Sequence, residues 1–235
     1  VSDLADALAA VRARIERAER AAGRDPGSVR LLAVSKTWPA ADVAALAALG
    51  QREFAENKVK ELVAKAEELA HLDLRWHLVG QLQRNKAPAV VGLGAVVQSV
   101  DRVSLVERLA GVAERADVVT EVYVQVDLGG PEGRTAARGG VAPEHVVELA
   151  DAVAAQPALQ LRGLMAVAPR EGAPGPAFEQ LAGLAARVRA DHPGAVELSA
   201  GMSADLEEAV AAGATVVRVG TALFGDRALA SGAGP

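Results

Sequence analysis

The stretch RLLAVSKTWPAADVAALAALGQREFAEN (residues 30–57) carries the pattern that decides the fold. An apolar run (30–36) is closed by Trp-Pro, an Ala/Leu segment with helical spacing (39–49) follows, and a second short run begins at Gln51. Proline fixes its own φ and pushes its predecessor out of the helical region, so Trp38-Pro39 reads as the junction between a strand and a helix. The same texture recurs with a period of about 25 residues. Strand-like runs are read at 30–36, 51–57, 75–81, 95–101, 120–128, 161–168, 195–201 and 215–221. Helical segments are read at 39–49, 57–70, 83–90, 102–115, 143–156, 176–191 and 203–212, with a short helix after Phe224 and one extra helix at the N-terminus.

Strict alternation implies parallel strands joined by crossover helices, and eight units predict closure into a (β/α)8 TIM barrel. The alternative is an open doubly wound sheet, but no GxGxxG follows the first strand run. No Pro/Gly/Ser-rich linker splits the 235 residues, so a single domain (1–235) is expected, with its core at about 4–227 and a tail at 228–235. GGPEGRTAARGG (129–140) and PREGAPGP (169–176) read as loops that follow strands.

Composition narrows the chemistry. With no cysteine, thiolate nucleophiles, disulfides and Cys-ligated metals are excluded. A net charge of −5 without a basic tract argues against nucleic-acid binding. The N-terminal amphipathic stretch carries too many charges for a signal peptide or a membrane span, so a cytoplasmic protein without membrane contact is expected.

A parallel barrel gathers the C-terminal ends of its strands on one face, which carries the site. Here those ends deliver Lys36, Asn57, the 77–81 stretch, the 98–101 stretch, Asp127, Met165, Ser199 to Ser203, and Arg218 to Thr221. The chain has 20 arginines against five lysines, and Lys36 is the one lysine at a strand end; Lys58, Lys60, Lys65 and Lys86 fall on helices and read as solvated. An amine can form an imine and a guanidinium cannot, but a rim lysine can equally snorkel or pair with a carboxylate. LSAGMSADLEEAV (198–210) leaves a strand through small residues, with Ser203 as expected N-cap, and VVRVGTALFG (216–225) ends a strand in Gly-Thr. Two such turns suit a phosphorylated ligand, because small residues let backbone N–H groups approach an anion. Arg218 lies inside an apolar run, and a cation facing a pyridine ring disfavours protonation of the ring nitrogen. His77 reads as a hydrogen-bonded core residue, Glu53, Glu56 and Asp127 as carboxylates near the rim, and the lone tyrosine, Tyr123, as core.

VSKT (34–37), EFAENKVKEL (53–62), WHLVGQLQRNK (76–86), GLM (163–165), LSAGMSADLEEA (198–209) and RVGTALFG (218–225) closely resemble the pyridoxal phosphate homeostasis protein family, single-domain relatives of the alanine racemase N-terminal barrel. The resemblance runs from about residue 4 to 227 with the motifs in order. It implies a fold-type III barrel carrying pyridoxal 5′-phosphate as an imine on Lys36. It further implies phosphate contacts from Ser199, Ser203, Gly220 and Thr221, Arg218 near the pyridine nitrogen, and Asn57 lining the pocket. Four residues depart from the family pattern: Trp38, Ala55, Gln81 and Ala200. A racemase of this kind needs a second base, which its relatives take from another domain. The implied function is therefore a monomeric cofactor carrier in vitamin B6 homeostasis, with PLP-dependent apo-enzymes as recipients; the alternative is a low-activity amino-acid racemase. Arg134 and Arg138 in the 129–140 loop are a weaker expectation for attracting an anionic ligand.

Overall fold

A computed structural model describes residues 2–129, 139–169 and 171–225. The eight strand-like runs form eight parallel strands that hydrogen-bond in chain order and close on themselves, β8 pairing with β1. They are β1 (Arg30–Val34), β2 (Glu53–Glu56), β3 (Arg75–Leu78), β4 (Val96–Val100), β5 (Thr120–Val126), β6 (Leu159–Ala166), β7 (Glu197–Ser199) and β8 (Val216–Val219). The helices are α1 (Ser2–Ala21), α2 (Ala40–Ala48), α3 (Val59–Glu68), α4 (Ala87–Gly92), α5 (Val103–Ala116), α6 (Val146–Ala154), α7 (Pro174–Asp191), α8 (Leu206–Ala211) and the single turn α9 (Thr221–Phe224). Three-residue 3₁₀ turns precede α4 and α6. The closed (β/α)8 barrel with an additional N-terminal helix is the expected architecture. The loop residues Arg134 and Arg138, and the tail, lie outside the described residues.

Alternation along each strand sorts side chains into two environments. Leu31, Ala33, Phe54, Trp76, Leu78, Val122, Val124, Leu164, Leu198, Val217 and Val219 belong to the layer between strands and helices, packed with residues such as Leu46, Leu62, Leu109 and Leu181. The opposite parity faces the barrel axis. Leu32, Ala55 and Val216 form one small apolar group there, and Val96, Tyr123 and Met165 another.

The floor of the barrel, at the N-terminal strand ends, is ionic. Arg30 pairs with Glu53 (2.8 Å) and Glu197. Glu197 pairs with Arg162, Arg162 with Glu121 (3.2 Å), and Glu121 with Arg75 (2.5 Å). Arg75 is the register partner of Glu53 across β2–β3, so six alternating charges follow one another around the floor. Glu53 is therefore not a rim carboxylate, because it opens β2 at the face opposite the strand ends that carry Lys36. Tyr123 is buried and donates its hydroxyl to Glu197.

The helix after β7 begins later than its sequence suggests. Ser203 does not cap it: residues 203–205 form a turn in which Asp205 Oδ1 accepts the Met202 N–H (2.6 Å), and α8 starts at Leu206. The last helix starts earlier, on Thr221, so Gly220 is its N-terminal flank and Phe224 its last residue.

Candidate functional site

A cavity of about 650 Å³ opens at the C-terminal strand ends, lined by Lys36, Gln125, Asp127, Met202, Ala204 and Asp205 among others. Lys36 lies two residues beyond β1 and is exposed. Its neighbour Thr37 takes a left-handed conformation (φ 71°), which redirects the chain immediately after the lysine. Trp38 stacks on Phe224, with ring centroids 5.8 Å apart and planes 19° from parallel. The turn bearing Lys36 is thus fastened to the helical turn after β8. Gly220 completes this junction: a Cβ there would come 3.1 Å from the Val34 carbonyl oxygen, so a side chain would crowd the β1–β8 seam.

Beneath the mouth lies Arg218, only 4% exposed. Its donors go to neutral oxygens: the Ser199 carbonyl (2.7 Å), Ser199 Oγ (2.8 Å) and the Ala166 carbonyl (2.6 Å). Burial lowers its pKa to about 10, which leaves it cationic at neutral pH. Ser199 Oγ donates onward to Gln98 Oε1 (2.7 Å), and the Gln98 amide donates to His77 Nδ1 (3.0 Å). The proton of His77 then resides on Nε2, facing Glu53 Oε2 at 3.4 Å. Burial outweighs Glu53 and depresses the His77 pKa, so the ring is neutral. A continuous polar chain, Arg218–Ser199–Gln98–His77–Glu53, therefore crosses the barrel from mouth to floor.

The residues singled out in the sequence separate into two levels. Lys36, Asn57 and Thr221 are exposed at the strand-end face, and Ser203 is half-buried there with its Oγ 3.4 Å from the Ala222 N–H. Ser199 and Arg218 are buried against each other one level down, and the Ser199 hydroxyl is occupied on both sides. Asn57 abuts the next strand's exit: a Cβ on Gly80 would lie 2.0 Å from the Asn57 carbonyl oxygen. Met165 points into the barrel below the mouth.

A model of the alanine racemase N-terminal domain matches residues 7–228. The pyridoxal phosphate homeostasis protein of Pseudomonas aeruginosa is 44% identical over 233 residues, 97% of each chain. The chain belongs to the pyridoxal phosphate homeostasis protein family. The Escherichia coli member is 39% identical over 97% of this chain and 98% of its own. Among solved structures of the family, PipY of Synechococcus elongatus with PLP bound superposes with a TM-score of 0.81 at 37% identity, over 94% of this chain and 100% of PipY. Alanine racemase of Clostridium difficile shares the barrel (TM-score 0.70) at 16% identity, this chain matching 57% of its length.

Within this family member, the departures from the common pattern occupy defined places. Ala55 fills the barrel interior beside Leu32 and Val216, Ala200 joins the strand–helix core, and Gln81 lies under Gly139, where a Cβ would come 2.6 Å from its amide nitrogen. Trp38 is the partner of Phe224. The largest surprise is Lys65, which is buried rather than solvated and pairs with Glu56 at 2.5 Å. It shares the apolar stripe of α3 with Leu62 and Ala66, at the i+3 spacing from Leu62, a signal present in the sequence. Among the described residues no helix is long and apolar enough to cross a membrane, and no cluster of His, Asp and Glu could hold a metal ion.

Proposed function

We propose that this protein holds pyridoxal 5′-phosphate at the barrel mouth through Lys36 and serves as a carrier and buffer of the cofactor. The observation that carries the reading is the conjunction of Lys36 in the mouth cavity with a buried Arg218 below it whose hydrogen bonds go to neutral oxygens. The residues fit such a group: the cavity is large enough for a phosphorylated pyridine, and the Gly220–Thr221 turn offers a side-chain-free backbone next to β1. When bound, the cofactor would supply an aldehyde, and Lys36 in the mouth cavity would hold its amine toward it as the group's covalent anchor. Ser203, Gly220 and Thr221 would hold its phosphate, Asn57 would line the rim, and the cation of Arg218 would disfavour protonation of the pyridine nitrogen. Ser199 acts one step removed, by orienting Arg218.

Carrier is preferred to racemase because Tyr123, the lone tyrosine, is committed to Glu197 on the floor of the barrel, at the end opposite Lys36. Burial, reinforced by Glu197, also pushes its pKa upward, the wrong direction for a base. Monomeric PLP delivery to apo-enzymes in the cytoplasm completes the proposal. Borohydride treatment of the PLP-loaded protein should fix the cofactor on Lys36, and Lys36→Ala should take up none covalently; an imine retained at full stoichiometry in that variant refutes the assignment. Incubation with single amino-acid enantiomers in deuterated water separates the two functions. Catalytic deuterium incorporation at the α-carbon would establish the racemase instead.

A further inference from the structure

We propose that Lys65, Glu56 and Glu61 are positioning residues for Lys36, gripping the turn Ser35–Lys36–Thr37 from behind and fixing the direction in which the amine enters the cavity. This deepens the reading of Lys36 given above and rests on it. Lys65 Nζ donates to Glu56 Oε1 (2.5 Å) and to the Ser35 carbonyl (2.7 Å), the oxygen of the peptide group that carries the Lys36 nitrogen. Ser35 Oγ donates to the same Glu56 oxygen (2.7 Å). On the far side of Lys36, the Thr37 N–H donates to Glu61 Oε2 (2.9 Å). The turn is therefore pinned on both flanks by β2 and α3, while Lys36 itself points away from them.

Two costs indicate that the grip has a purpose beyond packing. A buried ammonium–carboxylate pair is commonly no more stable than apolar residues of the same shape. Burial here pushes the Glu56 carboxyl up more strongly than Lys65 and Ser35 pull it down. Thr37, a β-branched residue at φ 71°, carries strain of about 1–2 kcal/mol. The Thr37 N–H holds Glu61 below the usual carboxylate range, so the link is an ionic hydrogen bond at neutral pH. A lysine side chain has four rotatable bonds, and condensation with a fixed aldehyde requires the amine in one place. Anchoring the backbone on either side removes the first source of that freedom.

The test uses Lys65→Met/Glu56→Gln, which leaves no unpaired buried charge, together with Glu61→Ala and Glu61→Gln, whose side chain is partly exposed. Stopped-flow mixing with PLP separates the concentration-dependent encounter from first-order imine formation. Amide hydrogen exchange at Thr37 in the cofactor-free protein reports the grip directly. The expected result is imine formation slowed about tenfold in the double variant and in Glu61→Ala, with the encounter constant unchanged. Thr37 exchange should be about tenfold or more faster in Glu61→Ala and restored in Glu61→Gln, which keeps an acceptor oxygen. Wild-type imine rates in both the double variant and Glu61→Ala would overturn the proposal, as would unaltered Thr37 exchange in Glu61→Ala. If instead the wild-type protein does not fix PLP on Lys36, the functional reading fails, and the exchange comparison still decides the grip.

Discussion

The floor of the barrel makes a quantitative acid-titration prediction centred on Glu53. Burial alone would raise its pKa, but the His77 imidazole, whose Nε2 lies 3.4 Å from Oε2, and the charge of Arg30 outweigh burial and hold the carboxyl at about 2, against an ordinary 4.5. A group whose folded pKa is depressed contributes stability that is complete above its unfolded pKa and is lost as pH falls through the folded one. The difference of about 2.5, at ~1.36 kcal/mol per unit, corresponds to about 3 kcal/mol, of which about 2 kcal/mol is gone by pH 3. Glu53→Gln keeps the shape and an oxygen for Arg30 but cannot titrate. Urea unfolding of both proteins, followed by circular dichroism from pH 7 to pH 3, reads Glu53 together with its effect on the adjoining His77, while carboxylates away from this pair cancel in the difference. The wild type should lose about 2 kcal/mol more than Glu53→Gln between pH 6 and pH 3. Parallel stability curves over that range would refute the argument that Arg30 and His77 stabilise the charged form.

Two further substitutions probe the frame around the site. Trp38→Ala removes the stack on Phe224 and should cost about 1–2 kcal/mol, read as a fall in Tm of about 2–8 °C; an unchanged Tm would mean the contact contributes nothing. Gly163→Ala places a Cβ 1.8 Å from the Glu197 carbonyl oxygen at φ +153°, in the β6–β7 seam, and should cost about 3 kcal/mol or more in the urea midpoint, whereas a wild-type midpoint would show that the seam can open.

The strands and their order were legible because every run alternates between two buried environments, and parity survives errors of one to three residues at the ends. Boundaries were less legible where a side chain captured a backbone group. Asp205 closes a turn where the sequence places Ser203 as the cap, so α8 begins three residues later. The charged ring escaped for a different reason. Arg30, Glu53, Arg75, Glu121 and Glu197 each stand at or near the start of a run, where a charge is unremarkable, and only closure of the sheet brings them into pairs. Lys65 was legible and was discounted: its place on the Leu62–Ala66 stripe outweighs the general rule that helical lysines are solvated.

These placements divide the molecule by function along its axis. At the floor, acids and bases neutralise one another in a series of ion pairs, and the tyrosine hydroxyl is absorbed into it. At the mouth, Lys36 is exposed on a braced turn, and Arg218 is cationic with its hydrogen bonds going to neutral oxygens. The polar chain through Ser199, Gln98 and His77 connects these levels with neutral links, so the charge of Arg218 is positioned by the fold without being cancelled. A catalyst for proton transfer at carbon would need a second base beside Lys36, whereas a holder needs a fixed amine, an anion-tolerant turn and a cation that keeps the ring a poor electron sink. The carrier proposal rests on this division, with the lone tyrosine held at the floor and Lys36 and Arg218 placed toward the mouth.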